Sequence, residues 1–137
     1  WSKILLEKGY RVIAIDRGDL DLSLRLNSNI HHIQQRITKD NLGDIKQNLE
    51  RIIQTKNIDL ITNDMNLSPY DSIQITNEFS EYLLPGGKII MTLKNVDRDI
   101  FGLLKNSRSE LEKHYRINNI KHLEQNRREV TVYMNKK

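Results

Sequence analysis

The sequence has no cysteine among its 137 residues, so disulfide bonds and thiolate metal sites are both excluded. It also has no apolar run near the roughly 20 residues that a membrane-spanning helix needs. No secretory signal is visible at its start. We therefore expect a cytoplasmic protein with no membrane partner.

A strong charge imbalance is also lacking. Lysine and arginine together number 22 against 18 acids, which leaves a formal net charge of +4. This mild basic bias permits an anionic partner such as nucleic acid without requiring one. The hydrophobic share of 37% and the charged share of 29% are typical of a globular domain with one modest core. At this length we expect a single domain.

Strand and helix patterns alternate along most of the chain. Short apolar runs predict strands, helical spacing of apolar residues predicts helices between them, and a polar turn near the end predicts an antiparallel hairpin. The alternation predicts an α/β three-layer sandwich whose sheet is mostly parallel, with one antiparallel strand near its edge. The predicted strands are 11–15, 30–33, 58–61, 88–93, 116–123 and 129–134, and the predicted helices are 1–8, 41–56, 72–84 and 97–115.

Glycine is scarce where a phosphate or cofactor loop should lie. The chain opens with a helix and has no glycine-rich turn after a first strand, as doubly wound folds require. Gly86-Gly87 follows a helix and precedes a strand, so we interpret Pro85-Gly86-Gly87 as a helix-ending turn. We therefore expect residues 1–137 to be a single domain whose first central strand and cofactor loop lie upstream of Trp1.

Charged residues stand at the predicted ends of several strands. Asp16 follows the strand 11–15, Asp64 follows 58–61, Lys94 follows 88–93, and Glu129 begins the closing strand. The carboxyl ends of parallel strands share one sheet edge, and an antiparallel strand begins there. Asp64, Lys94 and Glu129 can therefore converge as a proton-transfer unit. The alternatives are turn capping by the acids and a structural ion pair to the lysine.

Adjacent histidines, His31 and His32, raise the possibility of a metal site. Neighbouring residues on a strand face opposite sides, so the two rings diverge. No cysteine or glutamate-rich helix accompanies them. We therefore predict a structural role and no bound metal.

Five segments together resemble the FtsJ-type ribose 2′-O-methyltransferases, which act on RNA, and among these the RlmM type. No single segment is specific, but their order and spacing are similar to those of the family over nearly the whole chain. The segments are residues 1–9, 12–18 with Asp16-Arg17-Gly18, Asn63-Asp64-Met65 followed by Pro69, Leu93-Lys94, and 128–132 with Glu129.

The resemblance implies S-adenosyl-L-methionine as cofactor and a Lys-Asp-Lys-Glu catalytic tetrad. Asp64, Lys94 and Glu129 match its last three members, and the first lysine would lie upstream of Trp1. Lys94 would be the general base or would orient the ribose hydroxyl, Asp64 would align it, and Glu129 would hold the lysines or the ribose. The implied cofactor-binding residues are Trp1, Asp16, Arg17, Gly18 and Asp64.

The resemblance also implies an RNA partner, most simply ribosomal RNA of the large subunit. Basic residues on the rim of the site would contact its phosphates. The candidates are Lys121, Arg127, Arg128, Lys136 and Lys137, with Lys3 and Arg17 nearer the cofactor. One departure from the family is Gln35-Arg36, where relatives place an acid near the adenine; whether Asp40 substitutes stays open.

Two other functions fit parts of this pattern. One is a methyltransferase-like RNA-binding module that has lost activity. The other is a nicotinamide-dependent Rossmann oxidoreductase, which shares the acid after a strand at Asp16. The oxidoreductase does not explain Asp64, Lys94 and Glu129 together, so we prefer the methyltransferase.

Overall fold

A computed structural model describes residues 1–54, 57–94, 100–122 and 129–137. The chain forms two compact units, unit 1 over Trp1–Thr55 and unit 2 over Lys56–Lys137. The expectation that residues 1–137 are one domain lacking its first strand stays a prediction. No helix in the described ranges is both long enough and apolar enough to cross a membrane.

Unit 1 contains a two-stranded parallel sheet. Its strands pair from Val12 opposite Ile30 to Ile15 opposite Ile33. Both strands are short and half of the residues of each are isoleucine, which favours extended backbone. The sheet edge occupied by β1 has no other hydrogen-bonded strand in the described part of the chain. The elements are α1 (Ser2–Glu7), β1 (Val12–Ile15), α2 (Leu22–Arg25), β2 (Ile30–Ile33) and α3 (Leu42–Ile53).

The long helix α3 is shorter than its sequence pattern predicts. Ile45 and Leu49 are buried one turn apart, as the apolar spacing predicts. The helix ends at Ile53 because Gln54 adopts the left-handed conformation, with φ of 51°. A left-handed residue at this position terminates many helices, and here it ends the helical run before the predicted limit at residue 56.

Unit 2 contains a four-stranded sheet in the order β3-β4-β6-β5. β3 and β4 are parallel, and β6 runs antiparallel to both of its neighbours. Three strands therefore share one direction and β6 alone opposes them, which confirms the predicted mixed sheet. The elements are β3 (Ile58–Asn63), α4 (Pro69–Phe79), a 3-10 turn (Ser80–Tyr82), β4 (Leu83–Leu93), α5 (Ile100–Leu111), β5 (Tyr115–His122) and β6 (Val130–Lys136).

The core of unit 2 lies on one face of this sheet. Every second residue of β4 and β6 is buried there, as alternation along a strand requires. Helices α4 and α5 contribute further buried residues, Ile73 and Leu111 among them. Each such side chain contributes about 1.5–3 kcal/mol through burial. The buried strand residues are Ile89, Met91, Leu93, Val130, Val132 and Met134.

The segment Pro85-Gly86-Gly87 does not end a helix, contrary to the sequence interpretation. α4 already ends at Phe79, and the segment lies inside β4 as an irregularity. Between the pairs Ile58–Leu83 and Leu60–Lys88, β3 advances by two residues and β4 by five. Gly86 makes the bend possible with a positive φ of 74°. The glycines thus serve a bulge rather than a helix cap.

Gly87→Ala should destabilise the protein. A Cβ at this position would lie 2.7 Å from Leu83 Cγ and 2.8 Å from the Leu84 carbonyl oxygen. Overpacking of this kind costs about 1–3 kcal/mol. The matched control is Gly43→Ala in the first turn of α3, where a Cβ meets nothing within 4 Å. The control should be neutral or stabilising by up to about 1 kcal/mol. Urea unfolding of both variants checks this, and equal stabilities would contradict it.

Candidate active site

Asp64 and Lys94 form an ion pair at the carboxyl edge of the unit 2 sheet. Asp64 directly follows β3 and Lys94 directly follows β4. Because these strands are parallel, both residues emerge at the same edge, and Asp64 Oδ1 lies 3.1 Å from Lys94 Nζ. The lysine side chain is 20% exposed and the aspartate 47% exposed. The pair therefore faces solvent, where a substrate could reach it.

Glu129 lies beside Lys94 in the antiparallel ladder of β4 and β6. Leu93 is opposite Val130 in this ladder; Lys94 follows Leu93, and Glu129 precedes Val130. This register brings the backbone positions of Lys94 and Glu129 together. The Glu129 side chain is half-buried. All three residues predicted to be catalytic therefore belong to one edge of one sheet.

The loop that carries Asp64 is held by the side chain of Asn63, which sequence reasoning missed. Asn63 is buried at the end of β3. Its Oδ1 accepts the Met65 N–H at 3.0 Å. Its Nδ2 donates to Ser72 Oγ at 3.0 Å and Thr76 Oγ1 at 2.8 Å. The available sequence signal was a polar residue at the end of an apolar strand.

Helix α4 begins directly after this loop, at Pro69 rather than at the predicted Ser72. Ser68 is the N-cap, because its Oγ accepts the Asp71 N–H at 3.1 Å. The same hydroxyl donates to Asp71 Oδ2 at 2.7 Å. Proline at the first helical position needs no N–H partner, so the helix starts three residues earlier than predicted.

Asp16 directly follows β1 in unit 1 and shapes the turn there. Its Oδ1 accepts the Gly18 N–H at 2.7 Å, which is the turn-capping role weighed for this residue. Its Oδ2 has no hydrogen-bond partner in the described ranges, and the residue is exposed. One carboxylate oxygen therefore remains able to accept hydrogen bonds from a ligand.

The other residues predicted to bind cofactor also lie in unit 1. Trp1 occupies the N-cap position of α1 and is 48% exposed. Arg17 is exposed beside Asp16, and Gly18 supplies the N–H that the Asp16 carboxylate binds. Their roles toward a cofactor stay predictions.

The segment after β2 presents amides and a guanidinium rather than an acid. The Arg36 carbonyl accepts a hydrogen bond from Asn41 Nδ2 at 2.8 Å, and Asp40 is exposed. An open groove beside this segment is lined by His32, Ile33, Gln34, Gln35, Asn48, Arg51 and Ile52. No acid is among these described lining residues.

The adjacent histidines do not share a face of β2. His31 is exposed, whereas His32 is half-buried and its Nε2 lies 3.1 Å from the Asp16 carbonyl oxygen. His32 thus has a structural contact with the end of β1. Within the described ranges, no three histidine, aspartate or glutamate side chains are grouped to hold a metal ion.

The predicted basic rim is only partly at the site edge. Lys121 pairs with Thr131 near the carboxyl edge, with its Nζ 5.7 Å from the centre of the Tyr133 ring. Arg127 and Arg128 lie outside the described residues, and Lys3 is exposed in unit 1. The prediction is wrong for two further residues, Lys136 and Lys137.

Lys136 and Lys137 lie at the opposite edge of the sheet. β6 begins at the site edge and ends at Lys136, about 20 Å away at the usual rise per residue. Lys136 Nζ donates to the carbonyl oxygens of Ser80 at 2.7 Å and Leu83 at 2.9 Å. Because β6 is antiparallel, the lysines at its C-terminal end lie at the far edge of the sheet and not around the site.

Comparison with known sequences assigns no family to the chain. No protein-family model matches it. The uncharacterized protein MJ1257 of Methanocaldococcus jannaschii is 37% identical over 113 residues, which cover 82% of this chain and 28% of that protein. The chain therefore spans little more than a quarter of this relative's length.

Solved structures with this fold include methyltransferases. The fibrillarin pre-rRNA processing protein of Methanococcus jannaschii has a TM-score of 0.67 at 18% identity, covering 91% of this chain and 55% of that one. Aeropyrum pernix fibrillarin, solved with natively bound S-adenosyl-L-methionine, has 0.60 at 16% identity, covering 90% and 55%. The N-methyltransferase NodS of Bradyrhizobium japonicum, solved with S-adenosyl-L-homocysteine, has 0.55 at 12% identity, covering 92% and 66%. The chain has a Rossmann-like methyltransferase fold, which confirms the predicted fold class.

The Asp64–Lys94 pair should contribute little to stability. Both side chains are partly exposed, and ion pairs of this kind are worth about 0–1 kcal/mol. We expect a double-mutant cycle of Asp64→Asn and Lys94→Met, followed by urea unfolding, to give a coupling energy below about 1 kcal/mol. A coupling above about 2 kcal/mol would instead indicate a structural ion pair, since only desolvated pairs reach such values.

Proposed function

We propose that the protein transfers a methyl group from S-adenosyl-L-methionine to a ribose 2′-hydroxyl of RNA, with ribosomal RNA as the preferred substrate. The observation that carries this proposal is the Asp64–Lys94 ion pair, 3.1 Å long and solvent-accessible at the carboxyl edge of the sheet. Ligands of open α/β sheets bind at this edge. The adjacent position of Glu129 adds the third member of the constellation.

The fold supports methyl transfer more than hydride transfer. β6 runs antiparallel between β4 and β5, and solved methyltransferases share this fold. Fold alone does not decide substrate, since unrelated functions use one fold. The name of fibrillarin associates that neighbour with pre-rRNA processing, and the FtsJ-like order of Asp64, Lys94 and Glu129 supports RNA as the substrate here.

Residues of unit 1 are the proposed contacts to the cofactor. The exposed Asp16 carboxylate keeps Oδ2 available and could accept hydrogen bonds from ribose hydroxyls. Trp1 and Arg17 are exposed and could contact the rest of the nucleoside. When bound, the cofactor would supply a methyl group that is already activated by its sulfonium.

Lys94 would act on the ribose hydroxyl of the substrate. Its Nζ, in the neutral form, would accept the hydroxyl proton or orient the hydroxyl oxygen. Asp64 would fix the position of Nζ through the 3.1 Å contact to its Oδ1, as an ion pair to the protonated amine and as a hydrogen bond to the neutral one. Glu129 would hold the lysine or the ribose. Because the methyl donor is activated already, these residues would contribute mainly by positioning the hydroxyl.

Lys94→Ala should abolish methyl transfer and leave S-adenosyl-L-methionine binding largely unchanged. Removing the amine removes the group that handles the hydroxyl proton, a contribution of about 10²–10⁴-fold to such reactions. The measurement is transfer of labelled methyl groups to ribosomal RNA by the natural full-length protein, with calorimetry for cofactor binding.

Lys88→Ala is the matched control for that variant. Lys88 is an exposed lysine of the same strand, at the far end from the site and opposite Asn135. It should retain full transfer. Full activity of Lys94→Ala would contradict the proposed role of Lys94 in methyl transfer. A wild-type protein that binds both RNA and cofactor without methyl transfer would favour the inactive RNA-binding module.

Asp16→Asn should weaken S-adenosyl-L-methionine binding by about tenfold, the loss expected for one charge-assisted hydrogen bond. Asparagine keeps an oxygen for the Gly18 N–H, so the turn is retained and only the second carboxylate oxygen is lost. Asp21→Asn, in the same loop and without a capping hydrogen bond, is the control. Calorimetry with S-adenosyl-L-methionine and NAD checks this, and tighter binding of NAD would support the oxidoreductase instead.

A further inference from the structure

Asn63 is a buried amide whose hydrogen-bonding groups are all engaged. It is 6% exposed. Its Oδ1 accepts from Met65 N–H, and its Nδ2 faces Ser72 Oγ, Thr76 Oγ1 and, at 3.3 Å, the Ser72 carbonyl oxygen. A buried polar group with this many partners specifies one geometry, because any displacement leaves a donor or acceptor unsatisfied.

The partners of Asn63 are themselves immobilised. Ser72 is 0% and Thr76 2% exposed, both on the buried face of α4. Thr76 Oγ1 donates to the Ser72 carbonyl oxygen at 2.9 Å and lies 3.5 Å from Met91 Sδ. The amide therefore connects the end of β3 to a helix that is packed against β4.

Asp64 lies between the two points that this amide holds. Asn63 precedes it, and Met65, whose N–H is bound by the Asn63 side chain, follows it. Burial does not hold the Asp64 side chain, which is 47% exposed. Its place is set by the backbone on either side and, among the described residues, by the contact with Lys94 Nζ.

We propose that Asn63 is a positioning residue that sets the placement of the Asp64 carboxylate against Lys94. This inference rests on the proposed function, because it assigns Asn63 an effect on methyl transfer exerted through Asp64. Asn63 itself would contact neither substrate nor cofactor. Its loss changes the rate at saturation and leaves the affinity for RNA nearly unchanged.

The test compares Asn63→Ala with Asn77→Ala in the natural full-length protein. Asn77 is also a partly buried asparagine of unit 2, and its Oδ1 accepts a hydrogen bond from the Tyr115 hydroxyl at 2.8 Å. Tyr115 starts β5, at the edge opposite the site. Asn77→Ala therefore removes a comparable hydrogen bond from the same helix without affecting the Asp64 loop.

We expect Asn63→Ala to lower kcat about 10- to 100-fold, the loss produced by misplacing a reacting group by about 1 Å. KM for RNA should stay within about twofold, because Asn63→Ala removes no contact to RNA. Asn77→Ala should keep kcat within about twofold, because it leaves the Asp64 loop unchanged. Thr76→Val removes one acceptor of the Asn63 amide and keeps the shape of the side chain. It should lower kcat less than Asn63→Ala does. It also tests the proposal if Asn63→Ala does not fold.

The outcomes separate this inference from the function it rests on. Unchanged kcat in Asn63→Ala and Thr76→Val, with Asp64→Asn inactive, would overturn the positioning role and leave the proposed function standing. Equal losses of kcat in Asn63→Ala and Asn77→Ala would also overturn it, because they would reflect general destabilisation. Full activity of both Asp64→Asn and Lys94→Ala would remove the proposed function and the inference together.

Discussion

The pairing register of β4 is the constraint on which the site depends. Leu93 lies opposite Val130, and Asn63 lies opposite Met91, so the residues that follow these strands meet at one edge. The register is fixed by burial, because Met91, Leu93 and Val130 occupy the core face. A slip of one residue would move this apolar set to the other face of the sheet. The hydrophobic core and the charged constellation are thus two results of the same strand alignment.

Stability and the proposed chemistry depend on different residues of unit 2. The apolar side chains buried at alternate positions of β4 and β6 stabilise the sheet. Burial also raises the pKa of the Tyr115 phenol above its ordinary value of 10.0, and a hydrogen bond to the Ser80 side chain opposes this shift. The Asp64–Lys94 pair lies outside that core and is partly exposed. Asn63 connects the two, since it is buried with the core and adjoins the exposed Asp64. A rigid amide at the end of β3 allows an exposed carboxylate to hold one position without being buried itself.

The fold that this chain shares with solved methyltransferases does not by itself identify a substrate. Fibrillarins and the N-methyltransferase NodS have the same fold as this chain at identities of 18% and below. A fold that serves such different proteins cannot specify an RNA ribose. A lysine placed between two carboxylate-bearing positions supports the proposal of a ribose hydroxyl as methyl acceptor. The FtsJ-like order of these residues supports the proposal of RNA as substrate.

The amino-acid sequence by itself determined the alternating α/β elements, the antiparallel closing strand and the strand-end positions of Asp64, Lys94 and Glu129. These follow from local periodicity and from the rule that parallel strands end at one edge. The sequence did not reveal that Pro85-Gly86-Gly87 forms a bulge or that Lys136 and Lys137 lie at the edge opposite the site. It also did not reveal that the Asn63 side chain holds the Asp64 loop. Only the tertiary structure decided these, because each depends on contacts between residues distant in sequence: the register of β4 against β3, the direction of β6, and the approach of α4 to the end of β3.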